Sequence, residues 1–463
     1  MVNFQTIIDN VPDYNAFLTV NELDKSSFKL AKEFPHAVSI HEVGRSRKGH
    51  PIQCLKIGDG SKNALCFAFP HPNEPIGAMT MEYFSFELAK NKELRDELDF
   101  TWYIIKCIDP DGARLNENWF KGPFTIHNYT KNFFRPVGYE QVEWTFPIDY
   151  KELHFNSPLP ETKALMKMME DIKPDFVYSL HNAGFGGAYW YISQDIPELY
   201  EGLLQSAVKQ KVALSLGEPE APFVTQFAPA VFQTMGLAQV YDYTETFTGK
   251  VPQMDTGTSS ADYASRQSED CVTLLTELPY FFDKRIEDMS EGDMTRKEAI
   301  NKNIEMNEAH FSIIDGFLKE VRPYITKENP FVKLVDQIML HEEESNTAKK
   351  NWANSDPAFD QKAKVSNIFD NLLTAKFYNG LALGLTVRTI EYELERLKNE
   401  DSKNPEGISL LEDQHDKSAA LLKSFCEELE RELDYSVIPI QKLVRIQLES
   451  GLLVAEYIHK KKS

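Results

Sequence analysis

The sequence predicts an α/β fold, a sheet with helices on both sides, followed by an α-helical C-terminal region. Two observations carry this reading. Between about residues 37 and 280, short continuous apolar runs alternate with helix-like stretches such as residues 161–172. From about residue 291 onward, apolar residues recur at helical spacing instead.

Four runs matter. Residues 64–70 (ALCFAFP) lead into His71, and residues 101–108 (TWYIIKCI) lead into Asp109-Pro110-Asp111-Gly112. Residues 175–180 (DFVYSL) lead into His181, and residues 271–276 (CVTLLT) lead into Glu277. Each run is short and rich in β-branched or aromatic residues, as strands buried on both faces are. Strands alternating with helices predict an α/β sheet. In open sheets of this kind ligands bind outside the carboxyl ends of the strands, so the four polar run-ends define one candidate site.

In the C-terminal region Ile300, Ile304, Phe311, Ile314, Leu318 and Val321 form one apolar stripe. Leu422, Phe425, Leu429 and Leu433 form a second, and Val444, Leu448 and Leu452 a third, with Pro439 where a helix can begin. These stripes are expected to be core. Residues 351–360 and 401–406 read as polar connections. Across 463 residues, at roughly 100–200 residues per domain, the expected division is 1–290 and 291–463.

Apolar residues make up 42 % and charged residues 26 %, which excludes a disordered or collagen-like chain. Lys and Arg number 50 against 71 Asp and Glu, a formal charge of −21. A binder of phosphate backbones needs a basic face, so nucleic acid and anionic membrane surfaces are not expected partners. No apolar stretch approaches the ~18–20 residues needed to span a bilayer. Five cysteines without a CxxC pair predict reduced thiols, and residues 1–15 show no basic or apolar leader, so a cytoplasmic protein is expected.

His71-Pro72-Asn73-Glu74 places an imidazole and a carboxylate three residues apart just after a strand. Zn²⁺ takes imidazole nitrogen and carboxylate oxygen readily, and a catalytic site keeps three protein ligands and one open position. His181, after a second strand, is the candidate third ligand. His-x-x-Glu alone is common by chance; the combination of two strand-end histidines in one α/β region carries the weight. Mn²⁺ or Co²⁺ would suit the same ligands.

At this point the residues resemble the M14 zinc carboxypeptidases. Five segments match in order: the stretch 41–58 (HEVGRSRKGHPIQCLKIG), His71-x-x-Glu74, Asp109-Pro110-Asp111-Gly112, Pro160-Glu161-Thr162 followed by Ser179-Leu180-His181, and Thr276-Glu277-Leu278. The resemblance covers about residues 40–285. It implies a mixed, mostly parallel sheet flanked by helices, and one Zn²⁺ per chain on His71, Glu74 and His181. It implies Glu277 as general base and Arg114 as the cation facing the oxyanion. The family's Asn-Arg clamp for the substrate carboxylate falls here on Thr130 and Lys131, and Arg135 is close enough in sequence to offer a planar fork instead. Ala261 falls where relatives line the side-chain pocket, with no charge there to select a basic substrate.

The implied activity is hydrolysis of the C-terminal bond of a peptide substrate. A related zinc amidohydrolase, desuccinylase-like or acting on cell-wall peptides, is the alternative, and a non-catalytic metal-binding scaffold the second. The helical region is where a homo-oligomer would form.

Overall fold

The computed structural model describes residues 3–400 and 404–462. Its centre is a nine-stranded mixed sheet. The strands are β1 (Val38–Arg45), β2 (Pro51–Ile57), β3 (Lys62–Ala68), β4 (Phe100–Ile105), β5 (Phe176–Leu180), β6 (Tyr189–Ile192), β7 (Gln226–Ala228), β8 (Val231–Gln233) and β9 (Val272–Glu277). Their spatial order is β1-β2-β4-β3-β5-β9-β6-β8-β7. The central strands β4, β3, β5 and β9 run parallel, while β1, β2 and β6 pair antiparallel with their inner neighbours.

The continuous apolar runs are strands sandwiched on both faces. In β3, Leu65 and Phe67 pack with Leu165 and Met169 of the helix Pro160–Ile172. Ala64, Cys66 and Ala68, on the alternate positions, belong to the larger core on the other face. That larger core includes Ile76, Met79 and Leu88 of the helix Ile76–Lys90 and Val444, Leu448 and Leu452 of the helix Ile440–Lys462.

We number the helices used below α1 (Val20–Glu33), α2 (Ile76–Lys90), α3 (Pro110–Arg114), α4 (Ile126–Asn132), α5 (Pro160–Ile172), α6 (Pro197–Gln210), α7 (Ser260–Gln267), α8 (Arg296–Val321), α9 (Val332–Ser355), α10 (Ala375–Asn399), α11 (Pro405–Glu432) and α12 (Ile440–Lys462). The connection expected at 351–360 is shorter than predicted: α9 continues to Ser355, and a single 3₁₀ turn, Pro357–Asp360, follows. Of the connection expected at 401–406, residues 401–403 lie outside the described residues, and α11 begins at Pro405. Among the described residues, no helix is long and apolar enough to cross a membrane.

The stripes of the C-terminal region are spent inside the molecule: Ile314, Leu318, Leu422, Leu429, Val444 and Leu448 are all buried. The hydrophobic core crosses the 290/291 boundary, because α12 lies on the sheet. Gln447 of α12 is fully buried and accepts from the Thr80 hydroxyl at 2.8 Å. It donates through Nε2 to the His181 carbonyl at 3.0 Å, and its own carbonyl accepts from the Tyr178 hydroxyl at 2.8 Å. Ser450 accepts from the Trp190 indole at 2.9 Å. Gly451 lets the helix meet the sheet closely; a Cβ there would lie 2.7 Å from the Tyr178 ring.

Three of the motif segments meet in one ion network beyond the carboxyl end of β4, in which the carboxylates of Asp109 and Glu161 are buried and Arg47 reaches solvent. Arg47, from the β1–β2 turn, pairs with Asp109 at 3.3 Å and with Glu161 at 3.2 Å. Asp109 caps α3 by accepting from the Gly112 amide at 3.0 Å, and Asp111 accepts from the Lys48 amide at 2.8 Å. Burial, offset in part by Arg47, lifts the Asp109 carboxyl to about 6.

Removing the Gln447 side chain takes away the amide that the His181 carbonyl accepts from and leaves the Thr80 hydroxyl only its longer bond to the Ile76 carbonyl, at 3.2 Å. Gln447→Ala should therefore cost about 1–3 kcal/mol, read as a lower urea midpoint; an unchanged midpoint would refute the clamp. The folded state holds the Asp109 proton more tightly than its ordinary value of 3.8 allows, so this group's stabilisation is present at low pH and is lost as pH rises through about 6. Wild-type stability relative to Asp109→Asn should fall between about pH 4 and 6, and a difference that does not move with pH rejects the assignment.

Candidate metal centre

The centre sits at the carboxyl ends of β3, β5 and β9, which are neighbours in parallel register. Beyond β3 the chain turns sharply at Phe69, a buried aromatic with a left-handed φ of 58°. A non-glycine residue adopts this conformation only when its surroundings hold it there. His71 and Glu74 then share one tight turn, with the Glu74 amide donating to the His71 carbonyl at 3.1 Å. The loops are stitched together by Asn182, whose Oδ1 accepts from the Ile76 amide at 3.1 Å, and by Tyr280, whose hydroxyl donates to the Asn73 carbonyl at 2.9 Å.

His71 Nδ1 lies 3.1 Å from Glu74 Oε1, and His181 Nδ1 lies 3.1 Å from Glu74 Oε2. The two imidazole rings stand 4.9 Å apart. One donor atom from each of the three residues lies within 4.8 Å of the others, and all three residues are buried. His181 Nδ1, Glu74 Oε2 and His71 Nε2 have no hydrogen-bond partner. Buried polar atoms are normally satisfied, so three residues that bring ligand atoms within 4.8 Å of one another and leave buried polar atoms over fit a cation.

The far side of His181 is held. Its Nε2 is 2.9 Å from Ser179 Oγ and 3.8 Å from the Glu143 carboxylate. Glu143 is in turn fixed by the Ser260 amide and hydroxyl at 2.9 and 2.8 Å. A carboxylate on the Nε2 side favours the proton there and leaves the Nδ1 lone pair facing Glu74. Burial, then the nearby Arg135 charge, depresses His71 to about 3, so the ring is neutral and free to ligate.

Glu277 ends β9 with Oε1 3.7 Å from His181 Nδ1. Burial, reinforced by the charges of Glu74 and Glu220, raises its carboxyl well above the usual range. Arg135 reaches in with Nη2 3.6 Å from Glu74 Oε1. These residues line a cavity of about 490 Å³. Its opposite wall comes from the helical region, with Asn303 and Asn307 of α8, Lys349 of α9, and Tyr378 and Asn379 of α10.

The structure thus brings together His71, Glu74, His181 and Glu277, and leaves three expected residues elsewhere. Arg114, expected to face the oxyanion, does not line the cavity. The Asp109-capped helix α3 carries it toward α1, where Nη2 donates to Asn21 Oδ1 at 2.8 Å and lies 3.3 Å from His50 Nδ1. Thr130 and Lys131, expected at the substrate carboxylate, lie on α4 away from the cavity. The Thr130 hydroxyl is spent on the Ile126 carbonyl at 2.7 Å, under α10, and Lys131 is exposed. The arginine at the cluster is Arg135, beyond the end of α4. Glu143 and Gln447, which hold His181, carry no sequence signal: the first sits in a short 3₁₀ turn and the second is 266 residues away.

A family model described as zinc carboxypeptidase matches residues 25–300. The chain belongs to the zinc carboxypeptidase family. Curated relatives of the chain include carboxypeptidase B of Astacus astacus, 26 % identical over 105 residues, which are 22 % of this chain and 35 % of that protein. Zinc carboxypeptidase A 1 of Anopheles gambiae is 28 % identical over 128 residues, 24 % of this chain and 29 % of that protein. The chain therefore spans about a third of the length of the curated relatives it matches. Among solved structures, the carboxypeptidase A of Helicoverpa armigera is 17 % identical with a TM-score of 0.36, covering 57 % of this chain and 65 % of that one.

Proposed function

We propose that this chain is a zinc-dependent metallocarboxypeptidase that hydrolyses the C-terminal bond of peptides in the cytoplasm. The observation that carries the reading is the buried set of unpartnered His71, Glu74 and His181 donor atoms beside the Glu277 carboxyl. The three residues would hold one Zn²⁺, which when bound polarises a carbonyl and makes water more acidic.

The chain's own residues supply the remaining chemistry. Glu277 is placed to take a proton from water at the cluster and to hand it to the leaving amine. Arg135, a planar donor beside Glu74, is placed for charge developing on the carbonyl oxygen. Glu143 and Ser179 orient His181 from its Nε2 side. No disulfide joins any of the five cysteines, which suits a reducing compartment.

A second reading, a zinc amidohydrolase that needs no free carboxylate, is favoured by one observation. Lys131 is turned away from the cavity, and among the described residues no arginine besides Arg135, which is placed for the carbonyl oxygen, lines it.

Metal analysis coupled to hydrolysis of a peptide library tests the first reading. His71→Ala should lose bound zinc, and a fully metallated variant rejects the ligand set. Glu277→Gln should keep its zinc and lose turnover by about 10²–10⁴-fold, the usual worth of general acid–base catalysis, and unchanged turnover rejects its role. Matched free-acid and amide substrates separate the two readings: a strong preference for the acid supports the carboxypeptidase, and equal rates support the amidohydrolase.

A further inference from the structure

The wall of the cavity next to Glu277 is aromatic, and it carries a carboxylate that the chemistry above does not use. In the β6–β9 ladder Tyr189 lies directly opposite Glu277, and Tyr191 directly opposite Leu275. Opposed residues of an antiparallel pair project from the same face with Cβ atoms roughly 5 Å apart. Both tyrosines therefore share a face with Glu277. On the other side, Phe232 of β8 pairs in register with Tyr191, which places a third ring on the same face. The rings pack against one another, Tyr189 to Tyr191 at 5.8 Å and Tyr191 to Phe232 at 5.8 Å between centroids.

Glu220 meets this aromatic surface at the hydroxyl ends of the two tyrosines, and all four residues line the cavity that holds the His71, Glu74 and His181 cluster. Its Oε2 accepts from the Tyr191 hydroxyl at 2.8 Å and from the Tyr189 hydroxyl at 3.4 Å. Among the described residues its recorded polar partners are these two phenols and no cation. The neighbouring carboxylate Glu218 differs in this respect, because Arg296 neutralises it through Nε at 2.8 Å. An exposed carboxylate held by two phenols at the edge of an aromatic wall, with no ion pair of its own among the described residues, is placed to receive positive charge. The carboxylate supplies the ionic partner, and the ring faces attract a cation through their quadrupoles.

We propose that Glu220, Tyr189, Tyr191 and Phe232 form a subsite for a guanidinium or ammonium group of the substrate, one cross-strand pair away from Glu277. The inference deepens the peptide-hydrolase reading and rests on it for the identity of the substrate. It supplies the charge selection that Ala261, uncharged and buried in α7, does not provide. The cation has two sources in a peptide, the side chain of a C-terminal Lys or Arg, or the free amine of a short substrate.

The test uses the full-length, zinc-loaded protein. Titration calorimetry compares n-butylguanidinium with its neutral isostere n-butylurea. The guanidinium should bind at least tenfold more tightly, and Glu220→Gln should weaken it at least tenfold while leaving the urea unaffected. Tyr191→Phe, which keeps the ring and removes one phenol donor, should give a smaller loss. Equal binding of the two probes to the wild-type protein overturns the subsite, and this comparison needs no variant to fold.

Hydrolysis assigns the source. A tenfold or larger preference for N-blocked peptides ending in Arg over Leu assigns the side chain. A preference for unblocked over N-acetylated dipeptides assigns the amine. Equal rates in both arms overturn the proposal. If no peptide is cleaved at all, the hydrolase reading fails, and the guanidinium comparison alone decides the subsite.

Discussion

Two imidazole nitrogens and a carboxylate cannot be buried lone pair to lone pair unless the rest of the protein holds them there. In this chain His71, Glu74 and His181 are so arranged, within 4.8 Å and out of reach of bulk water. Each is delivered by a strand end, and each strand end is restrained by something else. The Phe69 turn aims His71, the Asn182 side chain ties the β5 loop to the start of α2, and Tyr280 ties the β9 loop to Asn73. The parallel pairing of β3, β5 and β9 sets the spacing between the three loops. A cluster this polar in a region this dry is a cost that the surrounding hydrogen bonds and core must outweigh.

Much of this was legible before the structure. A strand buried on both faces must read as a continuous apolar run, and the run must end where the chain meets polar surroundings. Hence the endings at His71, Asp109, His181 and Glu277 mark one edge of the sheet. What the sequence hides is direction. Arg114 is the nearest arginine after the Asp-Pro-Asp-Gly turn, but Asp109 starts a helix there, and the helix carries Arg114 out toward His50. Arg135 is further along the chain yet arrives at Glu74, because α4 intervenes and the segment after it folds back beneath α10. Arg388 of α10 donates to the Asn132 and Phe133 carbonyls at 2.8 and 2.9 Å. Thr130 and Lys131 share a helix, so only one face of that helix can reach the centre. Periodicity shows that a helix exists without showing which neighbour it will lie against.

The helical region also has a use that its stripes do not reveal. Three of its helices, α8, α9 and α10, give the cavity its far wall, and α12 replaces solvent on one face of the sheet. A short strand pairing, Phe281–Asp283 with Tyr435–Val437, ties the segment just after Glu277 to the approach to α12. The core therefore runs through the whole described chain, while the family match stops at residue 300.

The hydrogen bond from Gln447 to the His181 carbonyl has a consequence in time. A ribosome makes the chain from the amino end, so β3, β5 and β9 emerge long before α12 does. Until then the sheet face that α12 covers is bare and the His181 backbone lacks its clamp. A nascent chain of a few hundred residues can hold every candidate ligand and still have no finished centre. The order of synthesis thus leaves the candidate centre without this clamp until α12 has been made.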